Sequence, residues 1–337
     1  MKLRKYLLLT LLAVPILGIN LLPVTPANAQ VVIKYSSGQH PSNPKNVAAK
    51  RFGDLIEART NGEVKFEFFF SAQLFKDRAE PQAVRLGQVD MATTAYVFMD
   101  SIVPDTQIYG LPFMFGVDAR VTKRLAQSPI GRGIEESIEN KLDVKVLGTW
   151  LSGVTMYVCN RAVHTPADFK GLRIRVAGSK LWEEYTRALG ANPMAVSAGE
   201  MVTAAQQGVI DCIDSNSNAL ASRKIWQVLN YGIKTSQSTI VHAVMVNGKV
   251  WRGLSADHKK VFEDVAAEIV DWEWDQAISS LVKNDQIMID AGMDFVVPTA
   301  EVLDMFRQKI QPLQEPFLAA NTNIDVKLVR RAEAFVK

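Results

Sequence analysis

Two arginines stand two residues apart in Gly171-Leu172-Arg173-Ile174-Arg175-Val176. Leu172, Ile174 and Val176 alternate with Gly171, Arg173 and Arg175, a period-two pattern that predicts a strand with one apolar face. The other face then carries two guanidinium groups, each a rigid fork of donors matched to a carboxylate. Two readings stand at this point. Both arginines are solvated, or one faces a cleft and holds an anion.

Other routes to chemistry find little support. The four histidines, His40, His164, His242 and His258, include no pair at the i, i+4 spacing of a zinc helix, and there is no CxxC. No GxSxG elbow, P-loop or strand-borne GxGxxG occurs. Each histidine therefore reads as a surface or packing residue. The two cysteines, Cys159 and Cys212, sit in the apolar runs MYVCN and VIDCIDS without the local signature of a catalytic thiol. Buried cysteines behave as small hydrophobes, so two free thiols are favoured; an exported protein also permits a disulfide. No enzyme, metal or cofactor is expected on these grounds.

The chain has 337 residues, 48% hydrophobic and 22% charged, a composition that suits a soluble protein of about two domains. Its start differs from the rest. Lys2, Arg4 and Lys5 precede an apolar run from Leu7 to about Leu22, which ends in a small-residue Ala27-Asn28-Ala29 site. These features predict a cleaved secretory signal peptide over residues 1–29, with a retained membrane anchor as the alternative. Without them Lys+Arg falls from 38 to 35, equal to the 35 Asp+Glu, so no basic surface for nucleic acid is expected.

The elements that must position the arginines alternate. VVIKYSSG predicts a strand, about 45–60 a helix closed by Asn61-Gly62, 64–70 a strand, a helix through Gln82 and Leu86, and VDMATTAYVF another strand. In the middle VKVLGTW, VTMYVCN, GLRIRV and VIDCIDS read as strands. KLWEEYTRALG reads as a helix, and Ser197 and Glu200 take capping-box spacing before another. From Ser255 a single helical pattern runs to about residue 291. The fold class is α/β in two units. Tyr96, Trp150 and Ser215 to Asn218 fall at strand ends, where open α/β sheets bind ligands, and this favours a binding cleft over a catalytic one.

Several blocks in order resemble the periplasmic solute receptors of tripartite ATP-independent periplasmic (TRAP) transporters, of the C4-dicarboxylate-binding type. The blocks are SAQLFKDRAEPQAVRLGQVDMA, GLPFMF, HTPADFKGLRIRV with LGANP, GEMVTAAQQGVID and LSADHKKVFEDVAAE. The resemblance implies a periplasmic-binding-protein-like fold with a cleft between two domains and a long helix spanning both. Domain I is expected over 31–152 plus 241–280, and domain II over 153–240 plus 281–337.

By the same resemblance, Arg175 is the cleft arginine that pairs with a substrate carboxylate. Arg173 is a solvated or rim residue, and Arg78 is a supporting arginine. Thr155 stands where many members carry a second arginine. Ser215, beside Asn216, replaces their substrate-contacting asparagine, and Ala198 replaces an aromatic. Gln39 joins the expected binding set. One charged clamp instead of two favours a monocarboxylate with a neutral or apolar tail, stacked near Tyr96, Trp150 or Trp182. The function implied is capture of a small organic carboxylate in the periplasm and its delivery to the TRAP membrane subunits, without chemistry. A sensing receptor feeding a signalling partner and a secreted enzyme on the same cleft are the alternatives.

Overall fold

The computed structural model describes residues 30–115 and 118–336. The expected signal peptide lies outside them. Ten strands are present among the described residues: β1 Val31–Ser36, β2 Val64–Phe69, β3 Met91–Ala95, β4 Val144–Cys159, β5 Arg173–Val176, β6 Asn192–Ala195, β7 Cys212–Asn216, β8 Tyr231–Ile233, β9 Thr239–Asn247 and β10 Asp294–Val296. The helices that matter below are α1 Pro44–Arg59, α2 Glu80–Arg85, α3 Pro129–Leu142, α4 Lys180–Ala188, α5 Ser217–Ala221 and α6 Ala256–Asp290.

The strands run in the order β2-β1-β3-β9-β4-β7-β5-β6, with β8 on the far part of β4 and β10 beside β8. Parallel β2, β1 and β3 are joined through α1 and α2, the crossover connection that parallel pairing needs. β9 then pairs antiparallel with both β3 and β4. The first part of β4, Val144–Val154, belongs to this group. The last part, Thr155–Cys159, pairs with β7 and β8, and β7 leads on to β5 and β6. Thus β4 passes from one half of the molecule into the other.

That continuity corrects the reading of VKVLGTW and VTMYVCN as separate strands. The residues between them stay extended, and the chain absorbs its change of partner through register shifts at Val146/Thr149 and Leu151/Gly153. Gly153, at φ +154°, is required there, because a Cβ would lie 2.9 Å from the Asn216 side chain on β7.

The helix expected from Ser255 is α6, 35 residues long, with the Ser255 hydroxyl accepting from His258 N–H at its start. Phe262, Val265 and Ile269 pack with Phe52 and Val244 in the first half. Further along, Trp274, Ala277 and Leu281 enter the largest core, and Met288 meets Met156 and Ile213 in the second half. One helix face therefore threads both halves. The alternation of apolar and polar residues in α1 likewise buries Phe52 and Ile56, and Asn43 caps its start.

The two cysteines are not free. Cys159 on β4 and Cys212 on β7 lie directly opposite each other in the antiparallel register and form a disulfide, with Cα atoms 4.0 Å apart. Each run alone looks like a buried hydrophobic strand. Only their mutual register reveals the bridge. Among the described residues no helix is long and apolar enough to cross a membrane.

Candidate functional site

Strand β5 starts at the surface and ends in the interior, so its two arginines meet different surroundings. Arg173 donates from Nε to Asp211 Oδ2 at 2.9 Å and from Nη2 to Asp211 Oδ1 at 2.7 Å. Its side chain stays 43% exposed, which makes it a rim residue with a private carboxylate rather than a freely solvated one. Arg175 is 3% exposed. Its Nε donates to Val196 O at 2.8 Å and its Nη1 to Asp214 O at 3.2 Å, and it forms no ion pair among the described residues. Burial draws its pKa down to about 10, while Asp77 and Asp214 hold it up, so it stays charged at neutral pH.

Arg175 lines a narrow cavity with Gln39, Ser152, Trp182, Ala198, Ser215, Asn216 and His242. The cavity holds about 30 Å³, room for a water or two and no organic acid, so the two halves lie closed on each other here. A smaller apolar cavity adjoins it, sharing Val97, Trp182 and Ile240, and is lined further by Tyr96, Tyr109 and Leu181. Outside, an open groove of about 790 Å³ includes His40, Arg223, Lys224, Lys283 and Asn284.

Side chains from both halves make the closure. Asp77 Oδ2 accepts from Ala198 N–H at 3.0 Å. Arg78 Nη2 donates to Gly178 O at 3.0 Å, where φ is +90° and a Cβ would lie 1.9 Å from the guanidinium. Arg223 donates to Gln39 Oε1 at 2.7 Å and to Gly38 O at 3.1 Å. Lys76 pairs with Glu200 across the same line.

The ionisable groups beside the cavity are held unlike their free forms. Burial raises the Asp214 carboxyl to about 7, opposed by Arg175 and by Gln237 Nε2 at 3.4 Å. Burial and Asp77 push Glu80 up, and burial pulls the nearby Lys45 down; its Nζ donates to Thr93 O at 2.8 Å. Burial, with Lys45 adding to it, drives His242 well below its ordinary value, so this imidazole is neutral.

Of the residues expected from sequence, Gln39, Arg175, Trp182, Ser215 and Asn216 meet in one cavity. Tyr96 lies one cavity away, its hydroxyl sharing a 2.5 Å hydrogen bond with Thr149, which donates to buried Glu135. The other three lie elsewhere. Trp150 is in mid-strand, packed in the core of the first half rather than at a strand end. Thr155 Oγ1 is occupied by Ser238 O at 3.1 Å and by the Ser238 N–H at 3.0 Å, so it ties β4 to the approach of β9. Arg78 braces the rim.

Sequence reasoning missed Asp77, Asp214, Arg223 and His242. Asp77 lies in SAQLFKDRAEPQAVRLGQVDMA and Asp214 in VIDCIDS. Arg223 and His242 carried no local signal, since their place comes from the meeting of distant strands.

A family model for "Bacterial extracellular solute-binding protein, family 7" matches residues 35–321. The chain is 31% identical over 293 residues to the C4-dicarboxylate-binding periplasmic protein DctP of Rhodobacter capsulatus, covering 86% of this chain and 87% of that one. It is 25% identical to the sialic acid-binding periplasmic protein SiaP of Vibrio cholerae over 91% and 94% of the two chains. A crystal structure of a TRAP periplasmic solute-binding protein from Pseudomonas aeruginosa PAO1 with bound L-malate superposes with a TM-score of 0.81 at 27% identity, covering 85% of this chain and 99% of that one.

Proposed function

The chain belongs to family 7 of the bacterial extracellular solute-binding proteins, the solute receptors of TRAP transporters, and on that premise we propose that it captures a small organic carboxylate on Arg175. The observation that carries this reading is a buried, charged guanidinium whose hydrogen bonds go to backbone carbonyls and not to a carboxylate. An arginine in that state is expensive without an anion, and a ligand carboxylate supplies one with matched geometry. The relatives' names, C4-dicarboxylate and sialic acid, and the L-malate of the solved structure, are all carboxylates.

The reading extends to motion and partners. Residues 31–152 plus 241–280 act as one body and 153–240 plus 281–337 as the other. The strand crossing near Gly153 and the pairing of Val154 with Thr239 support hinges at those points. Ligand draws the bodies together by contacting both, since it stabilises the closed form only by its extra affinity for it. The closed receptor then delivers its cargo to TRAP membrane subunits. Residues 1–29 act as the export signal.

A thermal-shift screen of the chain without residues 1–29 against organic acids tests the proposal. A true ligand at 100 times its dissociation constant adds about 2.7 kcal/mol of stability. The expected result is an upward shift with one group of carboxylates, lost in Arg175→Ala. Shifts that persist in Arg175→Ala would overturn the clamp.

A further inference from the structure

His242 is 2% exposed and lines the same cavity as Arg175, yet its Nδ1 has no hydrogen-bond partner. Its surroundings explain why the protein itself offers none. His242 sits in mid-β9, opposite Ala95 of β3 on one side and Trp150 of β4 on the other, so both flanking strands present apolar side chains at its level. The backbone of all three strands is committed to the sheet. The cation that acts on it, Lys45, directs its Nζ to Thr93 O instead. Buried polar side-chain atoms nearly always find a partner, and one left bare costs stability. A cavity-lining imidazole whose ring nitrogen the protein leaves bare is therefore free to take a ligand atom.

The charges of the cavity narrow what that atom belongs to. Among the described lining residues, Arg175 is the one charged side chain; the others are Gln39, Ser152, Ser215, Asn216, neutral His242 and apolar groups. Asn216 is already used, donating from Nδ2 to Ser152 Oγ and accepting at Oδ1 from Ala219 N–H. A second carboxylate would find no second cation among the lining residues, because the neighbouring Arg223 and Arg78 are engaged with Gln39, Gly38 and Gly178; a buried unpaired charge is an arrangement proteins avoid. A neutral imidazole has one donor and one acceptor nitrogen in either tautomer, and it suits a keto or hydroxyl oxygen.

We propose that His242 is the second anchor of the ligand, and that it makes the receptor selective for a monocarboxylate bearing a keto or hydroxyl oxygen near the carboxylate. This rests on the carboxylate reading of Arg175. Arg175 stands on β5 in one half and His242 on β9 in the other, so a ligand spanning the two contacts both bodies at once. The same pair that reads the ligand then rewards closure.

Titration calorimetry with 2-oxobutanoate, 2-hydroxybutanoate, butanoate and succinate tests this in wild type, His242→Leu, His242→Gln and Arg175→Ala. Wild type should bind the oxo or the hydroxy acid at least about tenfold more tightly than butanoate or succinate, as losing one partner of a buried hydrogen bond requires. In His242→Leu the oxygen-bearing acids should fall to the level of butanoate, while butanoate itself changes by less than about twofold. His242→Gln, which keeps a donor and an acceptor, should recover part of the discrimination. The thermal midpoint of ligand-free His242→Leu should equal or exceed wild type, because the variant removes an unpaired buried nitrogen.

Discrimination that survives His242→Leu, a wild type that binds succinate more tightly than 2-oxobutanoate, or an unfolded Leu variant would overturn the assignment. If the acids bind through Arg175 but ignore position 242, only the His242 assignment fails. If none binds wild type at millimolar concentration, the carboxylate reading fails with it.

Discussion

Arg173 and Arg175 leave one face of a four-residue strand and end in opposite circumstances. Arg173 closes a bidentate pair with Asp211, whose Oδ2 also accepts the Arg173 backbone N–H at 2.9 Å. Arg173 and the other donors around it hold the Asp211 carboxyl below the usual range. Arg175, two residues further in, is enclosed and holds only carbonyl oxygens. Asp214, whose backbone carbonyl it holds, has its carboxyl pushed the other way, up to about 7, by burial. The protein has built the same fork twice, filling one with its own carboxylate and leaving the other open. On the proposed reading, a ligand carboxylate takes the second fork as Asp211 takes the first.

The largest effect should come from emptying the open fork. Arg175→Ala leaves a ligand carboxylate buried and unpaired, which costs roughly 2–5 kcal/mol, or about 30-fold to several thousand-fold in dissociation constant. Arg175→Lys should fail nearly as badly, since an ammonium keeps the charge but loses the parallel donors. Calorimetry with the acid found by screening reads both. A loss below about tenfold in Arg175→Ala would mean that the two arginines are not the contrasting pair described above.

Next is the disulfide, one residue from Asp211 and therefore at the filled end. Cys159 and Cys212 are 53 residues apart in sequence, and opening such a loop typically costs about 2–4 kcal/mol. The double Cys→Ser variant should lose stability of that order in denaturant unfolding while its ligand affinity, measured well below the midpoint, stays within about twofold. A large loss of affinity without loss of stability would erase the division between a structural end and a binding end.

The two aspartates give the comparison a sign. Asp214 has its native pKa raised from 3.8 to about 7, so its contribution to stability is fully present below pH 3.8 and is lost as pH rises through 7. Asp211 is depressed, so its contribution is present above the ordinary carboxylate value and is lost as pH falls through its lowered pKa. Asp214→Asn should therefore flatten the decline in unfolding free energy between about pH 4 and 7, by roughly 1–3 kcal/mol across that span. Asp211→Asn should instead remove part of the acid-side decline. Denaturant melts across pH 3–8 separate them, and parallel curves for the two variants would show that burial does not distinguish the sites.

Much of this arrangement is legible in the chain. The period-two alternation of residues 171–176 gives β5, and the capping Ser255 with its apolar spacing gives α6 nearly to the residue, because both signals are local. What escapes is set by register and by approach. The disulfide depends on β4 meeting β7 with Cys159 opposite Cys212. The continuity of β4 depends on its exchanging β9 for β7 midway, which no local pattern encodes. Trp150 reads as a strand end for that reason, although it lies in mid-strand. His242 has no motif at all; what sets it apart is that it combines an unpartnered ring nitrogen with a place in the Arg175 cavity.

The smallest expected effect is the most diagnostic. Arg173→Ala removes a charge on the same strand face as Arg175, so any long-range attraction for an anionic ligand weakens with it. That attraction acts through solvent, because the Arg173 side chain is 43% exposed, and salt screens it over about 10 Å. Asp211 also cancels most of the charge at contact distance. After Arg173→Ala, Asp211 keeps the backbone N–H of residue 173 and Asn160 Nδ2 as donors, so little penalty propagates into the cavity. Ligand affinity should therefore change by less than about threefold, and the change should vanish in high salt. If Arg173→Ala weakens binding as much as Arg175→Ala does, in low and high salt alike, both forks reach the ligand and the contrast between them is wrong. If it has no effect while Arg175→Ala abolishes binding, two residues of one strand divide the work of holding the fold and holding the ligand.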